Sequence, residues 1–402
     1  MMKLLKNLLL SIISIAIVLG IAETALHFAD FPATPKHGWK WDESPYRGPM
    51  NQHDQHTNQL GLRGQNIAYT DEDFVVVLVG DSQTEAGTQV FENMPEGLLE
   101  KAIKVQSGRD KVKVFSIASA GWGQDQQLLW LTKYFEKYRA NAVLVWTTPV
   151  NDYWENTFID RSITLEAGKL KPTYTLDGEK LKAVIPASFE WKLLTLLGVA
   201  LSSQDKDEKS SIEQIHLNHW LAKLPSTDRV ATAPETCPKN EVIEQEVIEA
   251  YRKGERAYTI VTEEDVEGGR NHFSPYLTHL SPREEYSIAI THRLFQEIAK
   301  VSQQHGASFN IVHTYRNDLD AAFREIRCIK NLKTNTYFTY DGSDWLRHLK
   351  KSPLADQLIP LKIESEQALN VREGDWHFGK EGNQLAMQEL AKVITQKYLS
   401  KP

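Results

Sequence analysis

The stretch Phe74 to Gly87, Phe-Val-Val-Val-Leu-Val-Gly-Asp-Ser-Gln-Thr-Glu-Ala-Gly, constrains the fold more than any other part of the chain. Val75 through Val79 are apolar without alternation, so a strand built from them must be covered on both faces. That is the situation of a central strand in a parallel sheet flanked by helices. The run stops at Gly80-Asp81-Ser82. Ligands of such sheets bind beyond the carboxyl ends of the strands. Ser82 is therefore expected to face a cleft, with a helix opening behind it whose first amides lack partners and can stabilise an anion. A serine in this place is also an ordinary turn or N-cap residue, so the motif needs support from elsewhere in the chain.

The segments after it supply that support. Apolar residues at helical spacing predict a helix over Phe91 to Ser107, then a strand over Val112 to Ile117 emptying into Ala118-Ser119-Ala120-Gly121-Trp122-Gly123. A helix opens at Asp125, and Ala142 to Trp146 forms a third strand that empties into Thr147-Thr148-Pro149-Val150-Asn151-Asp152. Strands alternating with helices argue for βαβ units and an α/β fold with a parallel sheet. Three successive strand ends then carry small or polar residues that can share one cleft. The pattern lapses from about 157 to 280, where only a hairpin turning at Asp177-Gly178 and an apolar helix over Phe189 to Leu201 are expected, so this region reads as an insertion. It resumes at Ser281-Pro282-Arg283-Glu284, a capped helix start with proline at the first helical position, followed by a strand over Ser308 to His313. A final amphipathic helix spans Asn383 to Tyr398.

Ahead of the sheet, Lys3 and Lys6 precede an apolar run from Leu8 to Ala22. Residues 4 to 26 approach the ~20 apolar positions that a bilayer core requires, and lysines before the run retain the N-terminus in the cytoplasm and export the remainder of the chain. Residues 1–27 are thus expected to be a signal anchor, residues 28–70 an extended connector and residues 71–402 the α/β domain with its insertion at about 157–280. Gly20-Ile21-Ala22 also fits a small-x-small cleavage site, which keeps a cleaved signal open. The net charge of −7 comes without any basic stripe carrying interleaved aromatics, so nothing points to nucleic acid as a partner. Cys237 and Cys328 lack metal-ligand spacing; they are either a pair formed in an oxidising compartment or two unrelated thiols. Nothing in the chain calls for a cofactor, and no protein partner is indicated.

Chemistry enters with Asp375-Trp376-His377. A serine hydroxyl is a poor nucleophile until a base takes its proton, and the base works best when a third group fixes its tautomer. In an extended stretch residues i and i+2 point to the same side, so Asp375 can orient His377 while the other ring nitrogen faces Ser82. The Ser82 amide, the Gly121 amide and the Asn151 side chain are the donors available to a tetrahedral oxyanion.

Gly80-Asp81-Ser82, Ala120 to Gln126, Val150 to Asn156 and Asp375-Trp376-His377, in that order, resemble the four blocks of the SGNH or GDSL hydrolases. Asn58-Gln59-Leu60-Gly61-Leu62-Arg63-Gly64 and the N-terminal apolar segment are similar to those of membrane-anchored members. The resemblance implies a flavodoxin-like three-layer α/β/α SGNH hydrolase fold. It further implies Ser82 as nucleophile, His377 as base, Asp375 as its orienting acid, and Gly121 and Asn151 in the oxyanion hole. Ser116, Ala118 and Pro149 depart from residues common in the family, and none of them removes a catalytic group. The expected activity is that of a serine esterase acting on short O-acyl esters of an envelope glycan or lipid. The alternatives are an O-acetyltransferase acting on an envelope polysaccharide and a non-catalytic glycan-binding protein. The expected location is the bacterial inner membrane with the catalytic domain in the periplasm, or the periplasm itself after signal cleavage.

Overall fold

The computed structural model describes residues 2–29, 56–157, 173–184, 191–193, 196, 260–261, 273–316, 328–331, 336–365, 369–370 and 377–400. Asp375, Cys237 and most of the expected insertion lie outside the described residues. The chain divides into two compact units. One comprises Met1–Trp39, Ile159–Pro172 and Val184–Ser226, and the other Lys40–Phe158, Thr173–Ala183 and Thr227–Pro402.

In the first unit, helix α1 (Met2–Phe28) is predominantly apolar between Lys6 and Glu23. Its stretch Lys3–Phe28 is 26 residues and holds an 18-residue window of mean hydropathy 2.3 with no buried residue, which is long and apolar enough to cross a membrane. Near its end Glu23 accepts hydrogen bonds from the backbone N–H groups of Lys192 (2.7 Å) and Leu193 (2.9 Å).

In the second unit the long apolar run becomes strand β1 (Phe74–Gly80). The helical spacing after it yields α2 (Ser82–Glu85), a 3-10 turn over Phe91–Asn93 and α3 (Pro95–Ser107). The helix expected from Phe91 starts instead at Pro95, because proline has no N–H to bond backward and its fixed φ suits the first helical position. Next come β2 (Val112–Ala118), α4 (Gln124–Tyr138), β3 (Ala142–Trp146) and α5 (Pro149–Glu155). The expected hairpin is a two-stranded sheet of Thr173–Asp177 and Lys180–Val184. Helix α6 (Pro282–Gln304) begins as the capping box foretold, with Ser281 Oγ accepting from Glu284 N at 3.3 Å and Ser281 N donating to the Glu284 carboxylate at 2.6 Å. Strands β4 (Ser308–Arg316) and β5 (Leu358–Ile363) and helix α7 (Lys380–Ile394) complete the frame.

The five strands form one parallel sheet in the order β5-β4-β3-β1-β2. This is the flavodoxin-like doubly wound order, whose ligand crevice opens where the order reverses, between β1 and β3. Val75 through Val79 are all 0% exposed, and side chains of a strand alternate between faces. Val76 and Leu78 pack with Leu99 and Ile103 of α3 and with Met387, Leu390 and Ile394 of α7, while α4 and α6 cover the opposite face. Each such side chain, fully buried, contributes about 1.5–3 kcal/mol. A second apolar cluster, including Tyr153, Tyr276, Phe338 and Trp345, lies at a small three-stranded sheet of Ile260–Val261, Cys328–Asn331 and Thr336–Thr339.

Residues 56–67, read from sequence as part of an extended connector, form a tight loop packed into this unit. Asn58, Leu62 and Arg63 are buried, and a β-bridge joins Thr57 to Arg63. Buried Glu96 ties the loop to β2: its carboxylate accepts from Gln65 N, and from Ser116 N and Ser116 Oγ at 2.9 and 2.7 Å. Burial raises the Glu96 carboxyl to about 7 against the pull of these hydrogen bonds. Because the folded chain then holds a proton that the unfolded chain has released, this group's contribution is complete below pH ~4.5 and is lost as pH rises to ~7, at up to about 1.4 kcal/mol per pH unit. Glu96→Gln should lower stability overall, since an amide nitrogen must then face a backbone N–H. Its melting temperature should nevertheless fall less than that of the wild type between pH 4.5 and 7.5, and parallel melting curves over that range would remove Glu96 as the titrating group.

Candidate active site

The carboxyl ends of β2, β1 and β3 lie side by side, with Gly80 in register with Ala118 and Val79 with Val145. Beyond β1 the chain turns sharply into α2. Gly80 is required there, because a Cβ would stand 2.0 Å from Thr84 Oγ1 and 3.3 Å from the Trp146 carbonyl oxygen. Asp81 caps the turn, its Oδ1 accepting from Gln83 N at 2.9 Å, and Ser82 occupies the first helical position with 7% exposure.

His377 reaches this serine from just ahead of α7, across 295 residues of sequence, with Nε2 at 2.8 Å from Ser82 Oγ. Several contacts hold it there. Phe378 N donates to Gln83 Oε1 at 3.1 Å, Gly379 N to the Leu369 carbonyl at 2.8 Å, and the Phe378 ring packs 5.9 Å from that of Trp146. With the imidazole proton on Nδ1, Nε2 accepts from the hydroxyl, which is the arrangement a general base requires. Ser82 and His377 are thus brought together, whereas Asp375 lies outside the described residues.

Gly121 and Asn151 follow the two strands that flank β1. Gly121 follows β2 with φ 73°, a left-handed conformation suited to glycine. The residue before it is fixed by a hydrogen bond from Ala120 N to Glu85 Oε2 at 2.8 Å. Asn151 is half-buried in the first turn of α5, its N–H donating to the Thr148 carbonyl at 2.8 Å. Both are therefore at the same end of the sheet as Ser82, one on either side.

Beneath them lies a group of acids. Asp81, Asp152 and Glu155 are each at least 98% buried and offer carboxylate oxygens within 4.8 Å of one another. Such a set must share protons or a cation. Burial, reinforced by the charge of Asp81, raises Asp152 to about 8, and burial raises Asp81 as well. Asp152 at neutral pH therefore holds a proton, and it accepts from Thr147 Oγ1 and, at 2.9 Å, from Thr148 N. It fixes the turn from which Asn151 projects. Asp125 acts similarly, accepting from Thr173 Oγ1 at 2.6 Å. Glu85 and Arg63, whose guanidinium donates to the Glu85, Ala86 and Gln89 carbonyls, were given no role in the site from sequence. Their signal was slight: an acid three positions after the serine, and an arginine in the Asn58–Gly64 block far upstream.

No protein-family model matches the chain, and no curated protein is similar to it in sequence. Among solved structures, an acetyl xylan esterase, AlAXEase, is 12% identical, matches over 80% of this chain and 100% of its own, and has a TM-score of 0.26. A GDSL-like lipase from Parabacteroides merdae is also 12% identical, over 82% and 100%, with a TM-score of 0.25. LAE5, an α/β hydrolase enzyme from the metagenome of Lake Arreo, is 10% identical over 58% and 98%, with a TM-score of 0.17. These likenesses are too distant to carry any of the chemistry.

Proposed function

We propose that the chain is a serine esterase of the SGNH type that cleaves short acyl esters through an acyl-enzyme. The observation that carries this reading is the 2.8 Å contact between His377 Nε2 and Ser82 Oγ at the switch point of the sheet. Ser82 Oγ attacks the ester carbonyl as His377 takes its proton, and Asp375 orients the imidazole and stabilises its charged form. The Gly121 and Ser82 amides and the Asn151 side chain receive the oxyanion. His377 then protonates the departing alcohol and activates the water that frees Ser82. Incubating the full-length chain, in detergent, with a serine-reactive phosphonate and mapping the modified peptide tests the nucleophile directly. Adduct on Ser82 is the expected result, and adduct on another serine would overturn the reading.

The natural substrate in this reading is an acylated envelope glycan or lipid, met by a domain tethered through α1. The length and hydropathy of α1, with Lys3 and Lys6 ahead of its apolar core, support the tether. Cell fractionation with N-terminal sequencing should find the intact chain in the inner membrane; a soluble periplasmic protein beginning at Glu23 would reject the anchor and leave the esterase intact.

A further inference from the structure

Helix α2, which carries Ser82, is a single turn, and one isolated turn does not hold itself together. It ends at Ala86, a non-glycine residue in the left-handed region (φ 47°) whose N–H donates to the Ser82 carbonyl at 2.9 Å. Such a turn needs support from outside, and Arg63 supplies it. Its Nη1 donates to the Glu85 and Ala86 carbonyls, each at 2.8 Å, and its Nη2 to the Gln89 carbonyl at 2.7 Å. Arg63 is 6% exposed, and a buried guanidinium is tolerated where its planar fork is matched by acceptors. Its own backbone is held in turn by the bridge to Thr57 and by Ser116 Oγ, which donates to the Arg63 carbonyl at 3.3 Å.

The supported turn reaches across to the neighbouring strand. Glu85, buried like Arg63, accepts through Oε2 from Ala120 N at 2.8 Å, one residue before Gly121. The loop at 57–63, the nucleophile's turn and the loop after β2 therefore form one connected hydrogen-bonded frame.

We propose that Arg63 and Glu85 are positioning residues that lock the Ser82 turn to the Gly121 loop, setting the gap between the attacking hydroxyl and the amide that receives the oxyanion. The inference rests on the esterase reading for its kinetic consequences. Its structural content, that Glu85 fixes the Ala120–Gly121 backbone, does not. Because Arg63 and Glu85 act through the backbone that carries Ser82 and Gly121, disturbing them should act on turnover, and a misplacement of about 1 Å at a reacting centre costs about 10²-fold.

Three variants of the full-length chain separate reach, charge and fold. Glu85→Gln keeps an acceptor oxygen at the same reach, Glu85→Asp keeps the charge but is one methylene short, and Glu85→Ala keeps neither. With p-nitrophenyl acetate, Glu85→Ala and Glu85→Asp should lower kcat about 10- to 100-fold with KM within about twofold of wild type. Glu85→Gln should recover most of the loss. Arg63→Lys, which cannot span three carbonyls with a planar fork, should also lower kcat and leave KM unchanged. Hydrogen exchange of the peptide over Ala118–Gln124 reads the same contact without any activity. It should quicken in Glu85→Ala and Glu85→Asp and stay slow in Glu85→Gln. Unchanged exchange in Glu85→Asp and Glu85→Ala would overturn the proposal, as would equal activity of the Gln and Asp variants or a loss confined to KM. If Glu85→Ala does not fold, the contrast between Asp and Gln decides the matter alone. A wild-type chain no more active than Ser82→Ala would instead remove the esterase reading, and the exchange measurement would still decide what Glu85 holds.

Discussion

Ser82→Ala should bring hydrolysis of p-nitrophenyl acetate by the full-length chain down to background, a fall of about 10³- to 10⁶-fold in kcat, and His377→Ala should fall nearly as far. The reason is that the two side chains act as one device. The hydroxyl cannot attack while it keeps its proton, and at 2.8 Å His377 Nε2 is the acceptor in place to remove it. Removing either partner leaves only binding and oxyanion stabilisation, so the two losses should not add in the double variant. A His377→Ala protein that kept a tenth or more of wild-type turnover would assign the base elsewhere. Both substitutions shorten side chains at the mouth of the crevice and leave the core of the sheet untouched, so the melting temperature should move little.

The second large effect is expected at Asn151. Replacing it with alanine should lower kcat about 10²- to 10³-fold, equivalent to about 2.7–4 kcal/mol, with KM nearly unchanged, because an oxyanion donor acts on charge that develops only in the transition state. Asn151 is a cleaner probe than Gly121, where φ 73° means that an added side chain strains the loop as well as crowding the amide. Equal turnover with a raised KM in Asn151→Ala would move this residue from the transition state to substrate binding.

Burial decides which features the sequence disclosed and which it concealed. Val75 through Val79 advertise a strand covered on both faces, and Ser281-Pro282-Arg283-Glu284 spells out a helix start locally, so both were readable without a structure. Strand β5 was not. Its sequence Leu-Ile-Pro-Leu-Lys-Ile alternates buried with exposed residues and carries Pro360, which argues against a central strand; β5 lies at the edge of the sheet, where a missing N–H is tolerated. The strands of the small sheet, scattered over Ile260–Val261, Cys328–Asn331 and Thr336–Thr339, offered two to four residues each and no periodicity to detect. Within the site, Ser82 and His377 were legible because they stand beside motif residues, and their meeting is a product of sheet topology. Arg63 stands in the Asn58–Gly64 block and Glu85 three residues after Ser82, but neither carries a role in one dimension; their carbonyl and amide partners, supplied by residues distant in sequence, give one.

The 295 residues that separate Ser82 from His377 also impose an order in time. At synthesis rates of about 5–20 residues per second, Ser82 leaves the ribosome roughly 15–60 s before His377. The turn bearing Ser82 can assemble as soon as β1, β2 and β3 have paired, yet His377 meets it only once β4 and β5 have joined the sheet and α7 has docked against α3. If the esterase reading holds, a nascent chain therefore carries the Ser82 turn before His377 can reach it, and reactivity is withheld by the order of translation until α7 is in place.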